Sequence, residues 1–232
     1  MGDVTALPFR DLAVDYIICS HVLEHMPTGV DLRRALAELA RVAPRGYIET
    51  PSVLAEKLTA RPFHHWYVEF REGILRFRKK VSADFDPDVV PAMLEVERDS
   101  PSFESLLWEQ FDRFHVRLEW AGTIRYEIEE RDGVGSGGAG LEAWERVHGG
   151  GPPSSRQRVR HRFRAILKEV LRRSLWRSRR VHLESLLACP VCRGLLRWRE
   201  GKGGLGCVGC GRRYPVRKGI PYLRPELAEG PD

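Results

Sequence analysis

Four cysteines near the C-terminus have the spacing that speaks most directly of chemistry. Cys189-Pro-Val-Cys192 and Cys207-Val-Gly-Cys210 are two C-x2-C pairs with fourteen residues between them. Each pair offers two thiolates from one tight turn, and four thiolates close a tetrahedral zinc shell. Gly194, Gly209 and Gly211 suit such turns. A segment of about forty residues buries little apolar surface, so a metal would supply folding energy. Four sulfurs leave no open coordination position, so the expected zinc is structural. Reduced or disulfide-paired cysteines without metal are the alternative. The fifth cysteine, Cys19, is isolated in an apolar run and is expected to be a small core side chain.

The second constellation is Ser20-His21-Val22-Leu23-Glu24-His25. The run Tyr16 to Cys19 before it is apolar and β-branched, as a buried parallel strand is. Polar groups then stand just past the carboxyl end of a strand, where open α/β sheets bind ligands. The same letters spell H-x-x-E-H, the inverted zinc-peptidase signature. That chemistry needs both histidines on one helical face. A strand running straight into the motif and Pro27 just after it speak against that, although Glu104 or Glu109 could offer a third ligand. His64-His65-Trp66 could line a pocket or touch an anionic substrate; as the first residues of a hairpin they are expected to be structural or exposed.

The elements that must position these groups follow from periodicity. Leu32, Ala35, Leu36, Leu39 and Ala40 make one apolar face of a helix over 31–42, with Arg33, Arg34, Glu38 and Arg41 on the other. Thr28-Gly29 opens it and Pro44 follows it. Gly46 to Thr50 is a second buried strand, completing a βαβ unit. Residues 64–80 read as a hairpin about Arg71-Glu72-Gly73. A short helix is expected near 92–96, another over 102–111 with Ser102 as its N-cap, and one or two strands over 115–129. Residues 132–156 are rich in Gly, Pro and Ser and predict a linker. Residues 157–182 predict a basic amphipathic helix, with Val159, Phe163, Ile166, Leu167, Val170, Leu171 and Leu175 as its stripe.

Residues 2–25 resemble the middle of a class I S-adenosylmethionine-dependent methyltransferase of the type 11 group, in the Asp3…Leu7-Pro8-Phe9 turn, the hydrophobic-acidic strand and the Leu23-Glu24-His25 ending. The continuation, Glu38 to Val42 and then Arg45 to Pro51, resembles it too. The resemblance implies that Asp3 hydrogen-bonds the adenine amino group of S-adenosylmethionine and that Val4 packs near its ring. It also implies that Ser20 and His21 lie beside the methionine part, with His25, or Glu24, facing the substrate as the base that takes the acceptor's proton. The family's first strand, glycine-rich loop and ribose-binding acidic residue have no counterpart here, so the chain is expected to begin after the family's third strand. The expected fold is therefore α/β: a partial Rossmann-like methyltransferase sheet, the family's later strands 4-5-7-6, followed by the basic helix and a small C-terminal zinc ribbon. Little affinity for the cofactor is expected of it. Leu187-Ala188-Cys189-Pro190 and Arg213-Tyr214-Pro215-Val216 to Leu223 resemble the zinc-ribbon family that activates methyltransferases, over residues 183–226, with a tail at 227–232. Two segments that belong together functionally are thus fused, the methyltransferase-like part covering 1–131.

Of 232 residues, 42% are hydrophobic, enough for a packed core, and the formal net charge is +6. Eleven Arg or Lys and one acidic residue fall between Arg156 and Arg180, so the remainder is slightly acidic. Such a stripe is a candidate contact for RNA or an anionic surface, or simply a solvated helix face. The exposed sheet edge and the ribbon are candidate sites for a partner protein. No transmembrane segment and no secretory signal are read in the sequence, and a cytoplasmic location is expected. A non-catalytic adaptor, binding a partner methyltransferase or RNA through the ribbon, is the alternative function.

Overall fold

The computed structural model describes residues 2–59, 61–84, 86, 89–132, 183–199 and 204–230. The expected linker beyond its first residue, the basic helix over 157–182 and its charge stripe lie outside the described residues. The described residues form a mixed α/β structure with three sheets.

The first sheet begins as expected. Strand β1 (Ile17–Ser20) and strand β2 (Arg45–Pro51) are parallel, with Ile17 opposite Gly46 and Ser20 opposite Glu49. Helix α1 (Gly29–Val42) connects them. Its N-cap is Thr28, whose hydroxyl accepts from the Asp31 N–H at 3.1 Å. Leu32, Ala35, Leu36 and Leu39 are buried against the sheet. Strand β5 (His115–Ala121) pairs antiparallel on the other side of β2, giving the order β1-β2-β5. Ile18 on β1 is 69% exposed, as an edge strand allows.

The expected fourth strand of this sheet is a correction. Strand β6 (Tyr126–Glu129) leaves it and pairs parallel with β4 (Ile74–Lys79), in a second sheet of order β3-β4-β6. The reason lies after β5. Gly122 takes a φ of +72°, its N–H bonds to the Pro44 carbonyl, and Ile124 is buried, which turns the chain away from β2. Tyr126 and Ile128 then pack beside Leu75 and Phe77. Strand β3 (Trp66–Arg71) and β4 form the predicted hairpin. Its two turn residues, Glu72 and Gly73, both have positive φ (54° and 76°), as a tight primed hairpin turn requires.

Short helices close the domain: α2 (Val53–Thr59), α3 (Val89–Asp99), α4 (Pro101–Glu109) and α5 (Phe111–Phe114). Ser102 is not an N-cap. Helix α4 starts one residue earlier, with Pro101 in its first turn and Ser100 at the cap, because proline's fixed φ suits a helix start.

Helix α6 (Leu183–Leu186) leads into the C-terminal sheet. Strands β7 (Leu196–Trp198), β8 (Gly204–Cys207), β9 (Arg213–Arg217) and β10 (Ile220–Pro221) are antiparallel, in the order β10-β9-β8-β7. Their core is Leu187, Cys189, Leu196, Leu205, Cys207, Tyr214 and Leu223, and Phe9 of the N-terminal segment packs onto it. Glu229 pairs with Arg213, so the chain closes on this sheet beyond residue 226.

The two units are joined through backbone. Phe9 and Leu187 form an antiparallel bridge, the Arg10 N–H donates to the Leu186 carbonyl (2.9 Å), and the Ala188 N–H donates to the Pro8 carbonyl (3.0 Å). Glu38, which the helical pattern places on the solvent side of α1, is buried beneath this joint. Its carboxylate accepts from Arg41 (2.7 Å), from Arg193 (2.6 Å) and from the Leu7 N–H (2.8 Å).

Candidate functional site

Cys189 and Cys192 stand on one turn, Cys207 and Cys210 on another, and β7 and β8 bring the turns together. Each turn is closed by a backbone bond, from the Arg193 N–H to the Cys189 carbonyl (2.8 Å) and from the Gly211 N–H to the Cys207 carbonyl (3.0 Å). The sulfurs of Cys189 and Cys210 are 3.8 Å apart, those of Cys192 and Cys207 3.4 Å, and all four lie within 4.8 Å. A tetrahedral ion with bonds of about 2.3 Å would hold its sulfurs roughly 3.8 Å apart, so the donor set fits zinc. The packing is tight around the sulfurs: a Cβ on Gly194 would lie 3.0 Å from the Cys207 sulfur. Tyr214 Oη lies 3.2 Å from the Cys189 sulfur, an outer partner of the kind that orients a ligand. The backbone N–H of Arg212 holds the Cys210 thiol down at about 6, whereas burial pushes Cys207 up to about 12. Metal binding must therefore displace protons and weakens as pH falls.

The second site lies past the carboxyl end of β1. His21 takes a φ of +53°, which swings its ring over the strand ends. Its Nδ1 is 3.3 Å from Glu24 Oε1 and its Nε2 3.4 Å from Glu49 Oε1; contact with Glu24 is the main cause raising its pKa. The Glu24 contact lacks hydrogen-bond alignment, and neither Glu24 oxygen has a hydrogen-bond partner among the described residues. Glu49 accepts from Ser20 (2.9 Å) and Tyr47 (2.5 Å); burial would push its carboxyl up, but these partners and His21 hold it below its usual value. Residues Leu23–His25 form one 3-10 turn, so the two histidines of H-x-x-E-H do not share an α-helical face.

His25 instead meets the start of the hairpin. Its ring stacks on Phe63 and stands at 88° to His64, with 4.6 Å between the histidine centroids. Its Nδ1 lies 3.2 Å from the Phe63 carbonyl, and its pKa is lowered, first by burial and then by His64. His64 is buried, with Nδ1 2.5 Å from Glu56 Oε1. The other Glu56 oxygen takes the ammonium of Lys80, and both of those side chains are fully buried. Beside the cluster is a cleft of about 270 Å³ lined by residues that include His21, Thr59, Arg61, His64, Phe114 and His115.

Residues 183–219 match the family described as Trm112p-like protein. The UPF0434 protein of Chelativorans sp. strain BNC1 is 46% identical over 43 residues, 18% of this chain and 61% of that protein. The UPF0434 protein of Stutzerimonas stutzeri is 46% identical over 41 residues (18% and 67%), and that of Hahella chejuensis 44% over 41 residues (18% and 68%). Through its C-terminal ribbon, the chain belongs to the Trm112p-like family. Residues 1–49 match a second family, described as methyltransferase domain. The fusion expected from the sequence is thus shown. The chain spans only 61% of the length of the Chelativorans relative. No solved structure matches. Among the described residues, no helix is long and apolar enough to cross a membrane.

In this Trm112p-like chain the predicted residues fall into three groups. Cys189, Cys192, Cys207 and Cys210 converge. Ser20, His21, Glu24 and His25 gather at the strand end, with His64 drawn in from the hairpin. Asp3 and Val4 stand apart from that cluster in their contacts. The Asp3 carboxylate accepts from the N–H and hydroxyl of Thr5 (2.8 Å each), and Val4 packs on the core. The 270 Å³ cleft, and a larger one lined by residues that include Tyr47, Ser52, Phe70 and Arg113, take in neither residue. Glu56, Lys80 and the joint role of Glu38 were not read from the sequence. Ser52, whose hydroxyl accepts from the Ala55 N–H (3.3 Å), is the signal that would have found α2 and with it Glu56. Cys19 is a buried core thiol, pushed up to about 12 by burial, as expected.

Proposed function

We propose that the chain is a methyltransferase-family protein whose zinc ribbon braces its own α/β domain. The observation that carries this is the joint. The Leu7-Pro8-Phe9 turn, which the resemblance ties to the cofactor region, is the backbone partner of the ribbon at Leu186 to Ala188. Order in the ribbon, supplied by zinc on the four cysteines, is thereby coupled to order in the turn. The test is amide hydrogen exchange before and after zinc chelation. Protection should fall in residues 5–12 as well as in the ribbon; unchanged protection in 5–12 would sink the coupling.

The implied methyl donor is S-adenosylmethionine. The residues present fit one wall of its site: Ser20 and His21 occupy the strand end, while the Asp3 carboxylate is already engaged by Thr5 and no glycine-rich strand–helix loop is in the sequence. Binding by this chain is weak, so calorimetric titration should give no micromolar affinity, and micromolar binding would overturn that. Of the cluster of Glu24, His25 and His64, His64 lines the cleft where the methyl acceptor would sit, with His25 against it. With its Nδ1 on the Phe63 carbonyl and its pKa lowered, His25 offers a free Nε2 at neutral pH as the acceptor's base, with Glu24 behind it.

A second reading, a non-catalytic adaptor in the cytoplasm, is favoured by the exposed Ile18 on β1, an edge strand among the described residues, which offers a partner protein apolar surface and a strand edge. The basic stretch 156–180 would add RNA or an anionic surface. Pull-down with and without residues 183–226 tests it: a partner retained without the ribbon assigns the contact to the edge of β1, a partner lost with it assigns the contact to the ribbon, and no partner in either case sinks the adaptor reading.

A further inference from the structure

We propose that Glu24, His25 and His64 form a divalent-cation site, separate from the four cysteines, with an open coordination position facing the 270 Å³ cleft. The ligand atoms of the three residues lie within 4.8 Å of one another. Glu24 is 0% exposed, and neither of its oxygens has a hydrogen-bond partner among the described residues. A buried carboxylate in that position calls for a cation. The nearby positive groups answer it only in part, and neither makes a hydrogen bond to it. Lys80 is engaged by Glu56, and His21 approaches only at 3.3 Å without alignment.

The imidazoles are already oriented for metal. A carbonyl oxygen only accepts, so the His25 Nδ1 facing Phe63 carries the proton and Nε2 keeps its lone pair. The Glu56 carboxylate, ionised beside the Lys80 ammonium, fixes His64 in the same tautomer. A histidine held through Nδ1–H by a carbonyl or carboxylate, with Nε2 free, is the usual arrangement behind a metal ligand. Two imidazoles and one carboxylate suit zinc and its first-row neighbours, and three protein ligands leave the fourth position for an exogenous oxygen. His64 lines the cleft, so that position opens where the proposed acceptor would sit. On the methyltransferase reading, and resting on it, the ion would bind a hydroxyl-bearing acceptor and lower the pKa of its hydroxyl, a task that then passes from His25 to the ion, because the lone pair on the His25 Nε2 is spent on the metal. The cation site itself does not depend on that reading.

The experiment measures metal in the full chain by mass spectrometry after zinc titration and dialysis at neutral pH. One equivalent beyond that held by the cysteines is expected. Glu24→Gln, His25→Ala and His64→Ala should each lose this equivalent and keep the cysteine-bound one. Glu56→Gln should weaken it about 10–100-fold. Cobalt separates the sites: the variant with Cys189→Ser, Cys192→Ser, Cys207→Ser and Cys210→Ser should lose the thiolate charge-transfer bands and keep the weak bands of a nitrogen–oxygen site. Glu24→Gln changes charge but hardly changes shape, and circular dichroism melting verifies that it folds. A wild-type chain saturating at the cysteine equivalent, or an extra equivalent that survives Glu24→Gln in the folded variant, overturns the site. Absence of cofactor binding would count against the methyltransferase reading alone, since the metal count is made without cofactor.

Discussion

At the scale of the residue, the most exacting group is the buried pair of Glu56 and Lys80. Both side chains are fully buried and touch, and the pair holds His64 in place. Burial would push the Glu56 carboxyl up; His64 and Lys80 outweigh it and keep it ionised below its usual value. Removing one partner strands a charge in a dry site, so Lys80→Met should cost about 3–5 kcal/mol, whereas replacing both, Glu56→Leu with Lys80→Met, should cost much less. Thermal melts of the two variants test this. Equal losses would mean the charge is compensated elsewhere. The pair also marks where the sequence stops being informative. Cysteine spacing carries its geometry locally, because two C-x2-C turns already define a tetrahedron. Glu24, His25 and His64 do not. The motif names the first two, but His64 reaches them only because the hairpin returns over the end of β1, and its Nδ1 partner lies on a helix whose existence rested on one serine cap.

At the scale of the element, β1, α1, β2 and the hairpin were legible, since each carries its own period or turn residues, whereas the ribbon was legible through its cysteine spacing and its resemblance and not strand by strand. The partner of β6 was not legible. Its alternation of Tyr126 and Ile128 fits either sheet, and the choice is made by Gly122 and Ile124 in the connection. Glu38 was misplaced for a related reason: helical periodicity gives a face but not what later covers it. Gly46 is a point of close approach in the first sheet. A Cβ there would meet the Ile17 carbonyl oxygen at 2.4 Å, the Ile17 methyl at 2.8 Å and Trp120 at 3.0 Å. The nearest obstacle is backbone of the paired strand, which cannot swing aside. Gly46→Ala should therefore cost about 3 kcal/mol, the upper end of ordinary overpacking, and loosen the β1–β2 pairing. Denaturant unfolding gives the loss, and exchange at the β1 amides locates it. A variant as stable as wild type would show that the strands are less closely apposed than described.

At the scale of the whole molecule, one carboxylate reinforces the backbone joint between the two units, so their association depends on pH with a definite sign. Burial would push the Glu38 carboxyl up, but hydrogen bonds from Arg41 and Arg193 outweigh it and hold it below its usual value. A folded pKa below the unfolded one of about 4.3 means that Glu38 contributes stability above that value and loses it as pH falls through the folded pKa. Docking of the ribbon should thus hold at neutral pH and weaken on acidification below about pH 4. Arg193 is 41% exposed, so solvent screens its share, and Arg193→Ala should cost only about 1 kcal/mol. Glu38→Gln keeps the shape but removes the titrating charge. It should be less stable than wild type at pH 7 and should lack this part of the acid-induced loss. Melting curves of both proteins at several pH values between about 3 and 7 decide the matter. Parallel curves would show that Glu38 does not carry the dependence and that the backbone bridge at Phe9 and Leu187 holds the ribbon without it.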